Sequence, residues 1–160
     1  MTTPQPTGRL DGNDLILTRT FRAPIDDVWT SITHPDSTAR WFGRWEGPSG
    51  AGSKIRIQLG FEQGMPWSDA TIERCDRPHH LGLTTVDASG TWHMEITLAE
   101  SGGTTTLTFV HHLKDRSGVG EIGPGWEYYL DQLVASREGA PLPTFDMYYP
   151  AQKAYFVALP

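Results

Sequence analysis

The chain has 160 residues, 38% hydrophobic and 20% charged, which indicates one globular domain with its own core. Its net charge of −6, without any run of Lys or Arg, argues against nucleic acid and anionic membranes as partners. One cysteine excludes an intrachain disulfide, no apolar run is long enough to span a membrane, and residues 1–8 lack the regions of a signal peptide. We therefore expect a cytoplasmic protein.

The first third of the chain predicts a flexible start, one strand and two short helices. Residues 1–8 have the composition of a frayed terminus. Hydrophobic side chains alternate over residues 14–22, as they do in a strand. Pro24 suits the first turn of a helix, and Asp36 suits the cap of a second short one. The expected apolar side chains are Ile25, Val28, Trp29 and Ile32 on the first helix, and Ala39, Trp41 and Phe42 on the second.

The middle of the chain predicts five more strands after a glycine-rich loop around Trp45. Short segments of alternating hydrophobicity are separated there by Gly, Pro, Ser and Asp, the residues typical of turns. The predicted strands are residues 53–59, 68–75, 80–86, 91–98 and 104–112.

The last two of these strands predict their own register. A hairpin with an even-length loop around residues 101–103 pairs even-numbered positions with odd-numbered ones. One face is then large and apolar with a single histidine, and the other is polar and typical of a solvated face. The inward side chains are Trp92, Met94, Ile96, Leu98, Thr105, Leu107, Phe109 and His111.

An amphipathic helix is predicted over residues 123–138. Its apolar stripe consists of Trp126, Tyr129, Leu130, Leu133 and Val134. We expect Glu127 and Asp131 on the opposite side, and Gly139 stands where a helix C-cap belongs. Such a helix must bury its stripe against the concave face of the sheet. The pattern predicts an α+β protein with its helices on one side of an antiparallel sheet.

Four stretches in the same order resemble the START-like superfamily, also called SRPBCC, and within it the activator of heat-shock protein 90 ATPase homologues. They are RTFRAPIDDVW at 19–29, HPDSTARWF at 34–42, LTFVHH at 107–112 and GWEYYLDQL at 125–133. The resemblance implies a single START-like domain over residues 1–160 with a helix-grip fold. In that fold a curved antiparallel sheet wraps around a long C-terminal helix and leaves a cavity, with two short helices after the first strand.

The same resemblance bears on activity. It implies no universal catalytic residues, and several relatives bind apolar ligands. The co-chaperone activity of larger relatives depends on an additional N-terminal domain that is not found in this sequence, so a chaperone is not the expected partner.

Residues 141–160 form a C-terminal extension that is too aromatic for a solvated end. We expect it to pack on the domain as a strap, with Pro150 opening a short helix that carries Ala154, Tyr155, Val157 and Ala158. The alternatives are a cover for the cavity mouth and a surface that joins two copies in a homodimer.

The leading functional prediction is non-catalytic binding of a small, mostly apolar or aromatic molecule between the sheet and the helix. Six tryptophans supply large apolar surfaces with few rotatable bonds, although interdigitated rings would make a dry core instead. The predicted lining is Trp92, Met94, Phe109, His111, Trp126, Tyr129, Leu130, Leu133, Trp41 and Ile57. His111 and Tyr129, with Arg56 or Glu62 at an entrance, are the polar candidates.

Two other functions remain open. A cyclase, dehydratase or hydrolase would use His111 as general acid or base, with a tyrosine or an acid as its partner. An interaction protein would use its aromatic tail or its loops to contact another chain. A core histidine satisfied by a neighbouring backbone or side-chain group is the simpler interpretation of His111.

We expect no metal site, no cofactor and no catalytic residue. His111 and His112 are adjacent on a strand, so they point to opposite faces and cannot share one ion. The sequence contains no GxSxG elbow, and the only cationic residue directly next to Cys75 is Arg74.

Overall fold

A computed structural model describes residues 3–88 and 90–160. Within these residues the chain forms eight strands and four helices, and a short 3-10 turn at Phe145–Met147 precedes the last helix. In chain order the elements are β1 (Arg9–Asp11), β2 (Asp14–Phe21), α1 (Ile25–Thr33), α2 (Pro35–Thr38), β3 (Trp45–Glu46), β4 (Lys54–Gln58), β5 (Trp67–Asp76), β6 (His80–Asp87), β7 (Gly90–Ser101), β8 (Thr104–His112), α3 (Val119–Glu138) and α4 (Lys153–Val157). None of these helices is long and apolar enough to cross a membrane.

All the strands belong to one curved antiparallel sheet, in the order β1-β2-β8-β7-β6-β5-β4-β3. Helices α1 and α2 connect β2 to β3, so the chain crosses from one end of the sheet to the other. The long helix α3 lies across the concave face, where the ring centroid of Trp126 is 4.3 Å from that of Phe109. This is the helix-grip fold, and the expected fold class is confirmed.

The predicted register of the β7–β8 hairpin is correct. Met94 pairs with His111, Ile96 with Phe109, and Leu98 with Leu107. All six side chains are buried on the inner face. The polar partners of the opposite face, including His93 and His112, are also paired as the parity requires.

The predicted end of the second helix and the predicted start of the long helix are wrong. Helix α2 ends at Thr38, so Ala39, Trp41 and Phe42 follow it in turns. Helix α3 begins at Val119, four residues before the predicted start, and includes Pro124. Glycine and proline in its first turns hid this beginning, because both have low helix propensity. Its end is as expected, since Gly139 adopts the left-handed conformation with φ 66°.

The glycines in the first turns of α3 allow α4 to pack closely on it. A Cβ atom added to Gly123 would lie 2.4 Å from the ring of Phe156, which is fully buried. Helix α4 begins at Lys153 rather than at Pro150, and Phe156 supplies its buried contact while Tyr155 and Val157 are exposed. The extension therefore packs beside the first turns of α3, with Phe156 in the core.

Glu127, which was expected on the side of α3 away from its apolar stripe, is nevertheless buried. The side chain is 1% exposed. Its carboxylate accepts hydrogen bonds from Thr7 Oγ1 at 2.8 Å, from Gly8 N at 2.9 Å and from Arg19 Nη2 at 2.8 Å. The polar side of the helix is covered because the N-terminal segment and α4 pack there. A stripe pattern describes only one packed side of a helix.

Candidate functional site

An apolar cavity of about 130 Å³ lies between the inner face of the sheet and the helices. Aliphatic side chains of β4, β5, β6 and β7 form its floor. The rings of Trp41, Trp45, Phe109 and Trp126 form much of the rest, and Ser49 from the β3–β4 loop lies at its edge. The cavity thus occupies one part of the space between sheet and helix, near α1, α2 and the Trp126 turn of α3.

The ten side chains predicted to line a cavity divide into two groups. Those in the wall are Trp41, Ile57, Met94, Phe109 and Trp126. Those outside the wall are Trp92, His111, Tyr129, Leu130 and Leu133, although the structure places all five within or against the same core. Trp126 faces the cavity, whereas the residues that follow it on the α3 stripe pack beyond the cavity.

His111 is buried and does not line the cavity. Its Nδ1 accepts the indole N–H of Trp126 at 3.1 Å, and its ring stacks on Trp92 with 4.9 Å between centroids. Because Nδ1 accepts, the proton of the neutral ring lies on Nε2. Burial, and then the positive charge of His112 and His93, lowers the pKa of His111 to about 4. Within the described chain its hydrogen-bond partner is an indole, not the acid or tyrosine that catalysis would require.

Most polar groups of the cavity wall are already satisfied within the protein. The indole N–H groups of Trp41 and Trp45 donate to carbonyl groups of α1 at 3.0 and 2.8 Å. The hydroxyl of Thr38 donates to the carbonyl of Pro35 at 3.2 Å. With the Trp126 indole bonded to His111, the three tryptophans of the wall present carbon atoms to a guest.

Cys75 lines the cavity although strict alternation along β5 would turn it outward. The register of β5 against β6 shifts between Ile72 and Arg74, which is the mark of a β-bulge. After the shift Cys75 pairs with Leu81, a buried inner-face residue. The half-buried thiol therefore reaches the cavity wall.

The two entrance candidates lie elsewhere. Glu62, on the exposed β4–β5 loop, accepts a hydrogen bond from the Tyr129 hydroxyl. Burial, reinforced by this carboxylate, raises the pKa of Tyr129, so the hydroxyl stays protonated as a donor. Arg56 is on the outer face of β4, where it lies 4.5 Å from the Trp67 ring and 3.3 Å from Glu46. Neither Glu62 nor Arg56 lines the cavity.

His112 and His111 face opposite sides of the sheet, as their adjacency requires. On the outer face, His112 Nδ1 lies 2.6 Å from Asp14 Oδ1 and its Nε2 lies 2.5 Å from Glu95 Oε2. The hydrogen bonds to Glu95 and Asp14 raise the pKa of His112. His80 Nε2 lies 2.6 Å from the other oxygen of Glu95. The described residues contain no group of three or more His, Cys, Asp or Glu side chains able to hold a metal ion.

Sequence reasoning missed several residues of the wall. Thr85 could have been found, because it has the same parity as Leu81 and Leu83 on the predicted strand 80–86. Trp45 gave no such signal, since it lies in a glycine-rich segment without periodicity. Cys75 was hidden by the bulge.

Solved structures of other proteins share this fold. The crystal structure of CalU16 from Micromonospora echinospora has a TM-score of 0.76 and 28% identity, covering 91% of this chain and 87% of that one. The solution structure of the BPP1335 product from Bordetella parapertussis has a TM-score of 0.78 and 23% identity, covering 99% and 95%. DynU16, a protein of the dynemicin biosynthetic locus, has a TM-score of 0.71 and 23% identity over 84% of this chain and 51% of that one. No curated protein matches the sequence.

The sheet, the long helix and the space between them define a helix-grip protein of the START-like superfamily. More specifically, the chain belongs to the family described as Activator of Hsp90 ATPase homolog 1-like protein, whose model matches residues 22–137.

Proposed function

We propose that this protein binds a small, neutral, mostly apolar or aromatic molecule in the cavity beneath the sheet, without catalysing a reaction. The observation that carries the proposal is the cavity itself, whose tryptophan N–H groups are bonded within the protein. The family has a fold that typically binds hydrophobic ligands. Four further points stay predictions from the sequence. They are the cytoplasmic location, the small-molecule partner, the single domain over residues 1–160 and the homodimer.

The size of the cavity limits the guest. An engineered apolar cavity of about 150 Å³ stays dry and binds benzene. At about 130 Å³, the cavity here has room for one ring or a short branched alkyl group, but not for a sterol or a long acyl chain. A guest of about seven heavy atoms at about 0.7 kcal/mol per atom gives a dissociation constant on the order of 0.1–1 mM.

Catalysis has less support. An acid–base reaction in the cavity would need His111 at the wall with a second titratable partner. Instead, His111 lies outside the wall, bonded to Trp126 and stacked on Trp92. Its pKa of about 4 also makes it a weak base near neutral pH.

Calorimetric titration and thermal unfolding with benzene and toluene test the proposal. A ligand at about ten times its dissociation constant stabilises the native state by about 1.4 kcal/mol. For a domain of this size that corresponds to a rise in melting temperature of about 3–5 °C. The absence of binding and of any rise with both compounds would overturn the proposal.

Two ring insertions on one strand show whether binding occurs in the cavity. Leu83 lines the cavity, and L83F puts additional volume into it, so ring binding should be lost. Val86 is 54% exposed and is not part of the cavity wall, so V86F should bind the same compounds as the wild type. Equal binding by both variants would place the ligand elsewhere.

A further inference from the structure

Thr85 differs from the other buried polar side chains of the cavity wall. It lies on β6 with the inner-face parity of Leu81 and Leu83, lines the cavity and is 9% exposed. Among the described residues its hydroxyl has no hydrogen-bond partner. By contrast, Thr33 and Thr38, which also line the cavity, donate their hydroxyls to carbonyls of their own helical segments at 2.7 and 3.2 Å.

An unpartnered hydroxyl in an apolar enclosure favours a guest that can hydrogen-bond to it. The Thr85 hydroxyl has no bond to the protein that a guest must break, so a guest that pairs with it gains a hydrogen bond within an otherwise apolar wall. The low local dielectric strengthens that bond. Thr85 therefore gives the cavity one position at which a polar atom of the guest is stabilised.

The charges around the cavity determine the charge of the guest. Among the described residues, the cavity wall contains two ionisable side chains, the carboxylate of Glu95 and the thiol of Cys75. Both oxygens of the Glu95 carboxylate are bonded on the outer face of the sheet, to His80 and His112. Neither a cationic side chain nor an unbonded carboxylate is thus available to pair with an ionic guest. Burying an unpaired charge in such a site is strongly unfavourable.

We propose that the ligand is a neutral single-ring molecule with one hydrogen-bonding substituent, such as a hydroxyl, which pairs with the Thr85 hydroxyl. This inference rests on the proposed function, because it specifies the guest of the same cavity. A hydroxyl serves as both donor and acceptor, so a phenol can pair with Thr85 in either direction. The ring occupies the apolar wall near Met94 and Phe109.

Calorimetric titrations with phenol, toluene and benzoate test the inference. All three probes have one benzene ring. Phenol adds a neutral polar group, toluene adds no polar group, and benzoate adds a negative charge. The wild type should bind phenol and toluene, and benzoate at least tenfold more weakly than phenol. In T85V, phenol should bind about tenfold more weakly, the size of one lost hydrogen bond, while toluene changes less than twofold.

Two further variants control for altered packing. T84V removes a hydroxyl on the outer face of the same strand, where it is bonded to His93 and lies outside the cavity wall, so phenol and toluene should both bind as they do to the wild type. T85S keeps the hydroxyl and should keep the preference that T85V loses. Thermal unfolding of each variant verifies that it folds.

The outcomes separate the two proposals. If the wild type binds neither phenol nor toluene, the proposed function fails and this inference fails with it. If both bind and T85V changes their affinities equally, only the role of Thr85 is overturned. Benzoate binding as tight as phenol binding would overturn the neutrality of the ligand.

Discussion

Acidification from pH 6.5 to pH 4 should destabilise the protein through His111. Burial, followed by the positive charge of His112 and His93, lowers the pKa of this histidine from 6.5 to about 4. The unfolded chain therefore takes up a proton near pH 6.5, and the folded chain only near pH 4. Since the unfolded state binds more protons in this window, stability is fully present above pH 6.5 and falls as the pH falls.

The magnitude follows from the two pKa values. At about 1.4 kcal/mol per pH unit, the interval from 6.5 to about 4 corresponds to a loss of up to about 3 kcal/mol. A typical domain is stable by about 5–15 kcal/mol, so the loss is large enough to measure. His111 would contribute nothing of this kind if it were exposed to water.

Urea unfolding at several pH values between 7 and 4 is the appropriate assay. H111Q should lack the part of the acid destabilisation that His111 causes, so its curve falls less steeply than the wild-type curve. The exposed His79 provides the control, and H79Q should follow the wild type. Carboxylates protonate in all three proteins, so only the difference between curves is informative. Parallel curves for wild type and H111Q would refute the reasoning.

Three other predictions concern separate parts of the structure. E127A should reduce the free energy of unfolding by about 3–5 kcal/mol, because it removes the buried carboxylate that pairs with Arg19. E121A, at an exposed position on the same helix, should reduce it by less than about 1 kcal/mol, and equal losses in the two variants would contradict this prediction. Alkylation of Cys75 by iodoacetamide, followed by mass spectrometry, should slow when toluene occupies the cavity, and an unchanged rate at saturation would count against the site. The raised pKa of His112 contributes stability that is present below pH 6.5 and is lost as the pH rises through the pKa of the folded state. A plot of the urea-unfolding midpoint against pH should therefore fall less steeply on its alkaline side for H112Q than for the wild type. An unchanged alkaline slope would contradict this prediction.

The sequence was informative where side-chain parity alone decides the structure. The β7–β8 hairpin has a short loop and a clear contrast between its faces, so Met94, Phe109 and His111 could be placed inside. A shift by one residue would have turned every one of these side chains to water. The order of the elements and the helix-grip fold followed from the same kind of pattern, together with the resemblance.

Long-range packing limited the rest. Glu127 follows the polar side of the α3 pattern, and nothing in that pattern shows that Thr7 and Gly8 fold back onto it. The bulge that turns Cys75 inward also has no sequence signature.

The extent of the cavity could not be predicted either. The stripe on α3 predicts which residues face the sheet, but not where along the helix the space remains open. Trp126 therefore lines the cavity, whereas Leu130 and Leu133 are fully buried beyond it.

Methyl NMR of the protein labelled with ¹³C at its methionine methyl groups tests occupancy of the cavity most directly. Met94 lines the cavity, whereas Met65 is 51% exposed and Met147 belongs to the C-terminal extension. Titration with phenol should shift the Met94 signal, assigned with M94L, and leave the Met65 and Met147 signals in place. An unchanged Met94 signal at saturating phenol, or equal shifts of the Met65, Met94 and Met147 signals, would contradict binding in this cavity.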